Sequence, residues 1–172
     1  MREGFSIVTA IVFLNKKVFL DLKLDDIPNT VQAALNNVMW SVDFFSLQGD
    51  RDTYQAAKAG NSNIKFLSVP SLSSRRKEGF NLEHINEMDG VVASGPAVGS
   101  IRIACPDITI VTPGIRRSED PKNDHRRALT PTEAIEAGSD YIVVGRPIRN
   151  ASNPKKEAKS IIQEIRSVDK NR

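Results

Sequence analysis

Hydrophobic residues fall into two alternating patterns along this chain. Six short runs, residues 18–22, 44–47, 64–69, 90–93, 108–111 and 141–144, are mostly apolar, rich in Val, Ile and Phe, and lack regular polar alternation. Runs of that length without polar alternation are how strands buried on both faces read. Between them lie stretches suited to helices: 29–40, 52–59, 82–88, 97–104 and 132–137. Residues 154–168 place Ala158, Ile161, Ile162 and Ile165 at helical spacing. Strand and helix in regular turn predict a parallel α/β sheet. The apolar stretch 5–14 is too short to span a bilayer, and no small-residue cleavage site follows it. It predicts a core-facing helix.

The polar residues decide between a closed and an open sheet. They gather just after the predicted strands: Lys23 and Asp26, Gln48, Ser73 and Ser74, Ser94, Thr112, and Arg146. A barrel collects all its strand ends around one mouth, whereas an open doubly wound sheet uses one crevice. The pattern therefore predicts a (β/α) barrel, with six of the usual eight strands countable. Its 172 residues suit one domain, here 1–172, and are too few for two.

Composition narrows the function classes. Lys+Arg 24 against Asp+Glu 21 gives a formal +3, with both signs scattered along the chain. That is not the concentrated basic face of a nucleic-acid binder. The single cysteine, Cys105, cannot form an internal disulfide, which places the chain by default in a reducing, cytoplasmic compartment. Sitting just before Pro106 and a strand, Cys105 reads as a packing residue rather than a nucleophile.

The most distinctive chemistry lies in Asp21-Leu22-Lys23-Leu24-Asp25-Asp26. Side chains alternate along a strand, so Asp21 and Lys23 point the same way at its end. One reading is a strand-end ion pair, with Asp26 as the N-cap of a helix that has Pro28 in its first turn. The other is a proton donor held between carboxylates. Flanking anions keep the lysine protonated, and the cation keeps Asp21 ionised. Such an array suits a reaction in which a carboxylate departs and a carbanion takes up a proton. No electron-sink cofactor is needed for that.

Two later segments suit an anion. Ile110 to Arg116 is a strand running into Pro113-Gly114 and an arginine, and Tyr141 to Ile148 is a strand ending in Gly145-Arg146. Barrel enzymes often hold phosphate with the loops after their last two strands. Gly145 lets backbone come close, and Arg146 can clamp phosphate oxygens. Between these segments, Thr130-Pro131-Thr132-Glu133 reads as a capping box. Of the two histidines, His84 reads as a helix-surface residue and His125 as a loop residue, and no metal-ligand set accompanies them.

Taken together these residues resemble orotidine 5′-phosphate decarboxylase. The run from Phe19 to Thr30 (FLDLKLDDIPNT) is similar to its signature, as are Val111-Thr112-Pro113-Gly114-Ile115-Arg116 and Val143-Val144-Gly145-Arg146-Pro147. The Ile27-Pro28-Asn29-Thr30 continuation is far more specific than a bare Asp-x-Lys. The resemblance runs from about Val18 onward. It implies a (β/α)8 barrel lacking its first strand–helix–strand, and a cofactor-free, metal-free lyase that converts orotidine 5′-phosphate to UMP and CO₂. It makes Lys23 the proton donor and Asp21 its electrostatic partner. Asp26, Ile27 and Thr30 would reach into a neighbouring subunit's site, so a homodimer is implied, with no nucleic-acid or membrane partner. Ser73 falls on a family threonine and Ser74 on the serine after it that reads the pyrimidine, both substrate-binding positions, and Arg116, His125, Gly145 and Arg146 fall on the phosphate-binding ones.

Departures accompany the likeness. The strands that carry a ribose-binding aspartate and a second lysine of the charged array are absent, His125 stands for a glutamine, and the stretch 75–88 is short. Ser46-Leu47-Gln48 replaces a Val-His-Ala segment. A non-catalytic remnant that binds nucleotide phosphate, or a related barrel acting on a sugar phosphate, are the competing expectations.

Overall fold

The computed structural model describes residues 2–38, 42–69, 85–118 and 128–169. They form two compact units, Met1–Val91 and Val92–Arg172. The first contains α1 (Arg2–Phe13), β1 (Phe19–Leu24), α2 (Pro28–Asn36), β2 (Phe44–Leu47), α3 (Arg51–Gly60), β3 (Lys65–Ser68) and a 3-10 turn at Ile85–Glu87. Strand β4 (Gly90–Val92) spans the boundary, with Gly90 and Val91 in the first unit. The second contains α4 (Ala97–Ala104), β5 (Thr109–Thr112), α5 (Pro131–Glu136), β6 (Tyr141–Ile142), α6 (Arg146–Arg149) and α7 (Pro154–Asp169).

In the first unit β1, β2, β3 and β4 pair in chain order, all parallel. The four residues of β2 are buried on both faces, as their unalternating apolarity predicts. Val31 and Leu35 of α2 and Ala57 of α3 close over a core that contains Phe45, Leu47, Ile64 and Phe66. Phe66 is fully buried and meets Phe45 with ring centroids 6.1 Å apart and Tyr54 edge-on at 6.4 Å. Both are geometries that aromatic quadrupoles favour. The N-terminal stretch is indeed helical. Val8 is buried, with Ile11 and Val12 packed against the core, while Ile7, Phe13 and Leu14 on other faces are 62%, 87% and 70% exposed. It lacks polar alternation because it is apolar around most of its circumference.

Helix α3 starts where Asp50 caps it, accepting from the Thr53 N–H at 3.0 Å and from Thr53 Oγ1 at 2.9 Å. Those hydrogen bonds hold the Asp50 carboxyl below its ordinary range. At the start of β4, Asp89 accepts from Lys58 Nζ at 3.1 Å and from the Phe66 N–H at 2.8 Å. Burial, and then the neighbouring Asp89 charge and its hydrogen bond, push the Tyr54 hydroxyl well above the ordinary tyrosine value.

The second unit is held differently. Its buried residues are branched aliphatics such as Val98, Ile101, Ile110, Val111 and Ile115. Arg102 of α4 joins separate pieces of backbone, donating to Gly138 O, Pro106 O and Ile108 O and pairing with Asp140 at 2.7 Å. Asp140 in turn accepts from the Ile110 N–H. The capping box at α5 is present as expected: Thr130 Oγ1 accepts from the Glu133 N–H, and Glu133 Oε2 accepts from the Thr130 N–H. Cys105 is buried, in keeping with a packing role.

Most elements fall where the hydrophobic pattern places them, and the differences have local causes. Helix α2 stops at Asn36 rather than 40 because the Asn37 amide group donates to Ala33 O at 2.8 Å, competing with the next helical turn. Of the predicted helix 82–88, the turn Ile85–Glu87 is present, and 82–84, with His84, lie outside the described residues. Helix α6 carries no periodic signal; it is a single turn set by Pro147 beside its start.

Candidate active site

The charged cluster sits at the end of β1. Lys23 Nζ lies 2.8 and 2.7 Å from the two carboxylate oxygens of Asp21, so the pair is bidentate. Simple alternation places both on one face, but the backbone that joins them is not regular strand. Phe19 pairs with Phe44 and Leu20 with Phe45, after which the register resumes only at Leu24 with Leu47. Three residues of β1 therefore stand opposite the single Ser46, a bulge in a parallel ladder. Lys23 is at its end with φ +52°, the left-handed region that a residue with a Cβ adopts at a cost of about 1–2 kcal/mol. The Lys23 N–H donates to Ser46 Oγ at 2.8 Å.

Both side chains remain about half exposed, so an isolated pair of this kind contributes at most about 1 kcal/mol to stability. Fold stability alone is a weak reason for a strained bulge here.

Asp26 does not cap α2. The N-cap is Ile27, which makes no side-chain cap, and Asp26 Oδ1 instead accepts from the Ile27 N–H at 2.8 Å. Asp26, Ile27 and Thr30 all face solvent, Ile27 with 65% of its surface exposed.

In the second unit β5 ends at Thr112 and turns through Pro113 and Gly114, whose φ of +80° is the conformation glycine supplies freely. Arg116 follows. It is buried, with its N–H donating to Leu129 O at 3.0 Å and its Nη1 to Ile115 O at 2.7 Å. Arg117 turns the other way, pairing with Glu157 of α7 at 2.5 Å. After β6, Gly145 is exposed and serves as N-cap of α6, with Arg146 the first helical residue. A Cβ built on Gly145 would meet nothing within 4 Å. The fold therefore leaves room for a side chain at this position.

Ser73, Ser74 and His125 lie outside the described residues. Among the described residues no three His, Cys, Asp or Glu side chains cluster as a metal site. Ser46 was visible in the sequence only as a departure from the family pattern. Its one signal is that it is a hydroxyl inside a strand whose other residues are apolar and buried.

Parallel strands that alternate with helices and follow one another in chain order are the arrangement of a (β/α) barrel. The chain belongs to the orotidine 5′-phosphate decarboxylase / HUMPS family, whose sequence profile it matches over residues 1–161. The match therefore includes the N-terminal helix as well as the motifs from Val18 onward. Orotidine 5′-phosphate decarboxylase of Carboxydothermus hydrogenoformans is 39% identical over 197 aligned positions, covering 97% of this chain and 82% of that one. The aligned positions outnumber this chain's 172 residues, so the relative has insertions within the matched region. The Bradyrhizobium diazoefficiens enzyme of the same name is 36% identical, covering 94% and 77%. The crystal structure of the Lactobacillus acidophilus decarboxylase superposes with a TM-score of 0.72 at 30% identity, covering 92% of this chain and 80% of that one. The fold is thus that of the family's (β/α)8 barrel, of which the described residues supply six strands. Among the described residues no helix is long and apolar enough to cross a membrane.

Proposed function

We propose that this chain decarboxylates orotidine 5′-phosphate to UMP and CO₂, with Lys23 as the proton donor. The observation that carries the assignment of Lys23 is its bidentate contact with Asp21 at the end of β1. The step balances without a cofactor. The bond between the pyrimidine ring and its carboxylate breaks, CO₂ leaves, and the electron pair left on the ring carbon takes a proton from Lys23 Nζ. Solvent then restores that proton. Asp21 disfavours the substrate carboxylate beside it in the ground state, and that repulsion is relieved as the carboxylate leaves as neutral CO₂.

In this reading Arg116, His125, Gly145 and Arg146 bind the phosphate, Ser74 reads the pyrimidine, and Ser73 beside it contacts the substrate. Asp26, Ile27 and Thr30 serve the site of a second copy, making the enzyme a homodimer; the exposure of an apolar Ile27 beside two polar residues supports this. A cytoplasmic location fits an enzyme of a soluble nucleotide.

The test is CO₂ release from orotidine 5′-phosphate by the purified protein. Lys23→Ala is expected to lower turnover at least about a hundredfold, the usual scale for a positioned general acid, while circular dichroism stays unchanged. Full turnover in Lys23→Ala would overturn the assignment. Because the family profile also covers HUMPS members, the same assay includes ribulose- and gulonate-type phosphates. Turnover of those in place of orotidine 5′-phosphate would move the chain to the sugar-phosphate branch.

A further inference from the structure

We infer that Ser46 is a positioning residue for the reaction, holding Lys23 in its left-handed conformation through a side-chain-to-backbone hydrogen bond. The inference rests on the reading of Lys23 as proton donor and adds a residue that does not itself touch the reacting atoms.

The argument starts from the ladder. In a regular parallel pair every inward N–H of β1 finds a main-chain carbonyl on β2. Between Leu20 and Leu24 that pattern fails, because residues 21–23 face only Ser46. The Lys23 N–H falls within this gap and goes to Ser46 Oγ at 2.8 Å. Ser46 is fully buried, so water does not compete as the acceptor at that side chain. An apolar residue of similar size at position 46 would leave the N–H without this acceptor.

The hydrogen bond has a chemical consequence because of the conformation it holds. Lys23 at φ +52° is strained for a residue with a Cβ, and a strained conformation persists only where its surroundings enforce it. That conformation sets the direction in which the Lys23 side chain leaves the backbone, and hence the contact of Nζ with both Asp21 oxygens. Without the Ser46 hydroxyl the backbone can relax toward ordinary strand geometry, and the ammonium group leaves its place against Asp21. A threonine keeps the acceptor and suits a strand, so the hydroxyl rather than the identity of serine is what matters.

The experiment compares wild type, Ser46→Ala and Ser46→Thr by two independent readouts. Amide hydrogen exchange at Lys23 is expected to quicken roughly tenfold in Ser46→Ala, the scale of one ordinary hydrogen bond, while Phe45 and Leu47 keep their rates. In the decarboxylation assay kcat is expected to fall about tenfold with KM unchanged, and Ser46→Thr restores both readouts. Should Ser46→Ala fail to fold, Ser46→Cys replaces it, since the thiol fills the same space and accepts only weakly. Unchanged exchange at Lys23 in the alanine or cysteine variant overturns the inference, as does a loss that threonine does not rescue. A wild-type chain that turns over no orotidine 5′-phosphate overturns the decarboxylase reading, and the exchange readout then decides the role of Ser46 by itself.

Discussion

The two units of this chain solve the same packing problem with different materials. All seven phenylalanines and the tryptophan precede Val92, and after it the one aromatic among Phe, Trp and Tyr is Tyr141. The first unit accordingly rests on the dry cluster of Phe45, Tyr54 and Phe66. The second has a smaller aliphatic core and ties its loops with polar clamps: Arg102 on three carbonyls and Asp140, Arg117 on Glu157, and the capping box of α5. On the proposed function, the difference matches the part each unit would take. A strained, charged bulge such as Asp21 to Lys23 needs a stiff platform beneath it, and close-packed rings provide one. A phosphate is held by turns, backbone N–H groups and arginines, which hydrogen-bonded loops can present.

That contrast can be broken, beginning where the effect is largest. Phe66→Ala removes the central ring of the first unit and is expected to cost about 3–5 kcal/mol of unfolding free energy, read by urea denaturation. A loss under about 1 kcal/mol would mean the aromatic cluster is not the platform described. Arg102→Met keeps the apolar stem and removes the clamp in the second unit. It should cost about 1.5–3 kcal/mol, and hydrogen exchange should show the loosening first at Ile110 and Asp140. If Arg102→Met proves as damaging as Phe66→Ala, the distinction between an aromatic and a clamped unit collapses. The smallest effect sharpens the site instead. Gly145→Ala has room for its methyl group, so stability should move by less than about 0.5 kcal/mol. KM for orotidine 5′-phosphate should nevertheless rise about tenfold, with kcat little changed, because the methyl group occupies the approach of a phosphate to the backbone. An unchanged KM would remove Gly145 from the proposed phosphate site.

Much of this was legible in the residues themselves. Strands that are buried on both faces lack regular polar alternation, so β2, Phe44 to Leu47, was locatable to the residue. Local side-chain chemistry made the capping box at Thr130 equally plain, since a threonine, a proline and a glutamate at that spacing satisfy helix-end donors with no help from afar. Asp26 shows the limit of the same logic. It is a good capping residue by type, yet it sits one position too early, and the chain turns into α2 through Ile27 and Pro28. Arg116 shows another limit: its charge was visible, but its burial against its own backbone was not.

The order of elements, the parallel α/β class and the acid–lysine pair followed from the sequence, because periodicity and residue type are local properties. How Lys23 comes to face Asp21 did not. Alternation along a regular strand reaches the right face for the wrong reason. The actual geometry depends on three residues of β1 meeting one residue of β2, on a left-handed lysine, and on a buried hydroxyl 23 positions away in the chain. Register between strands is a tertiary quantity, settled by which side chains share the core, and only the folded pair of strands could reveal it.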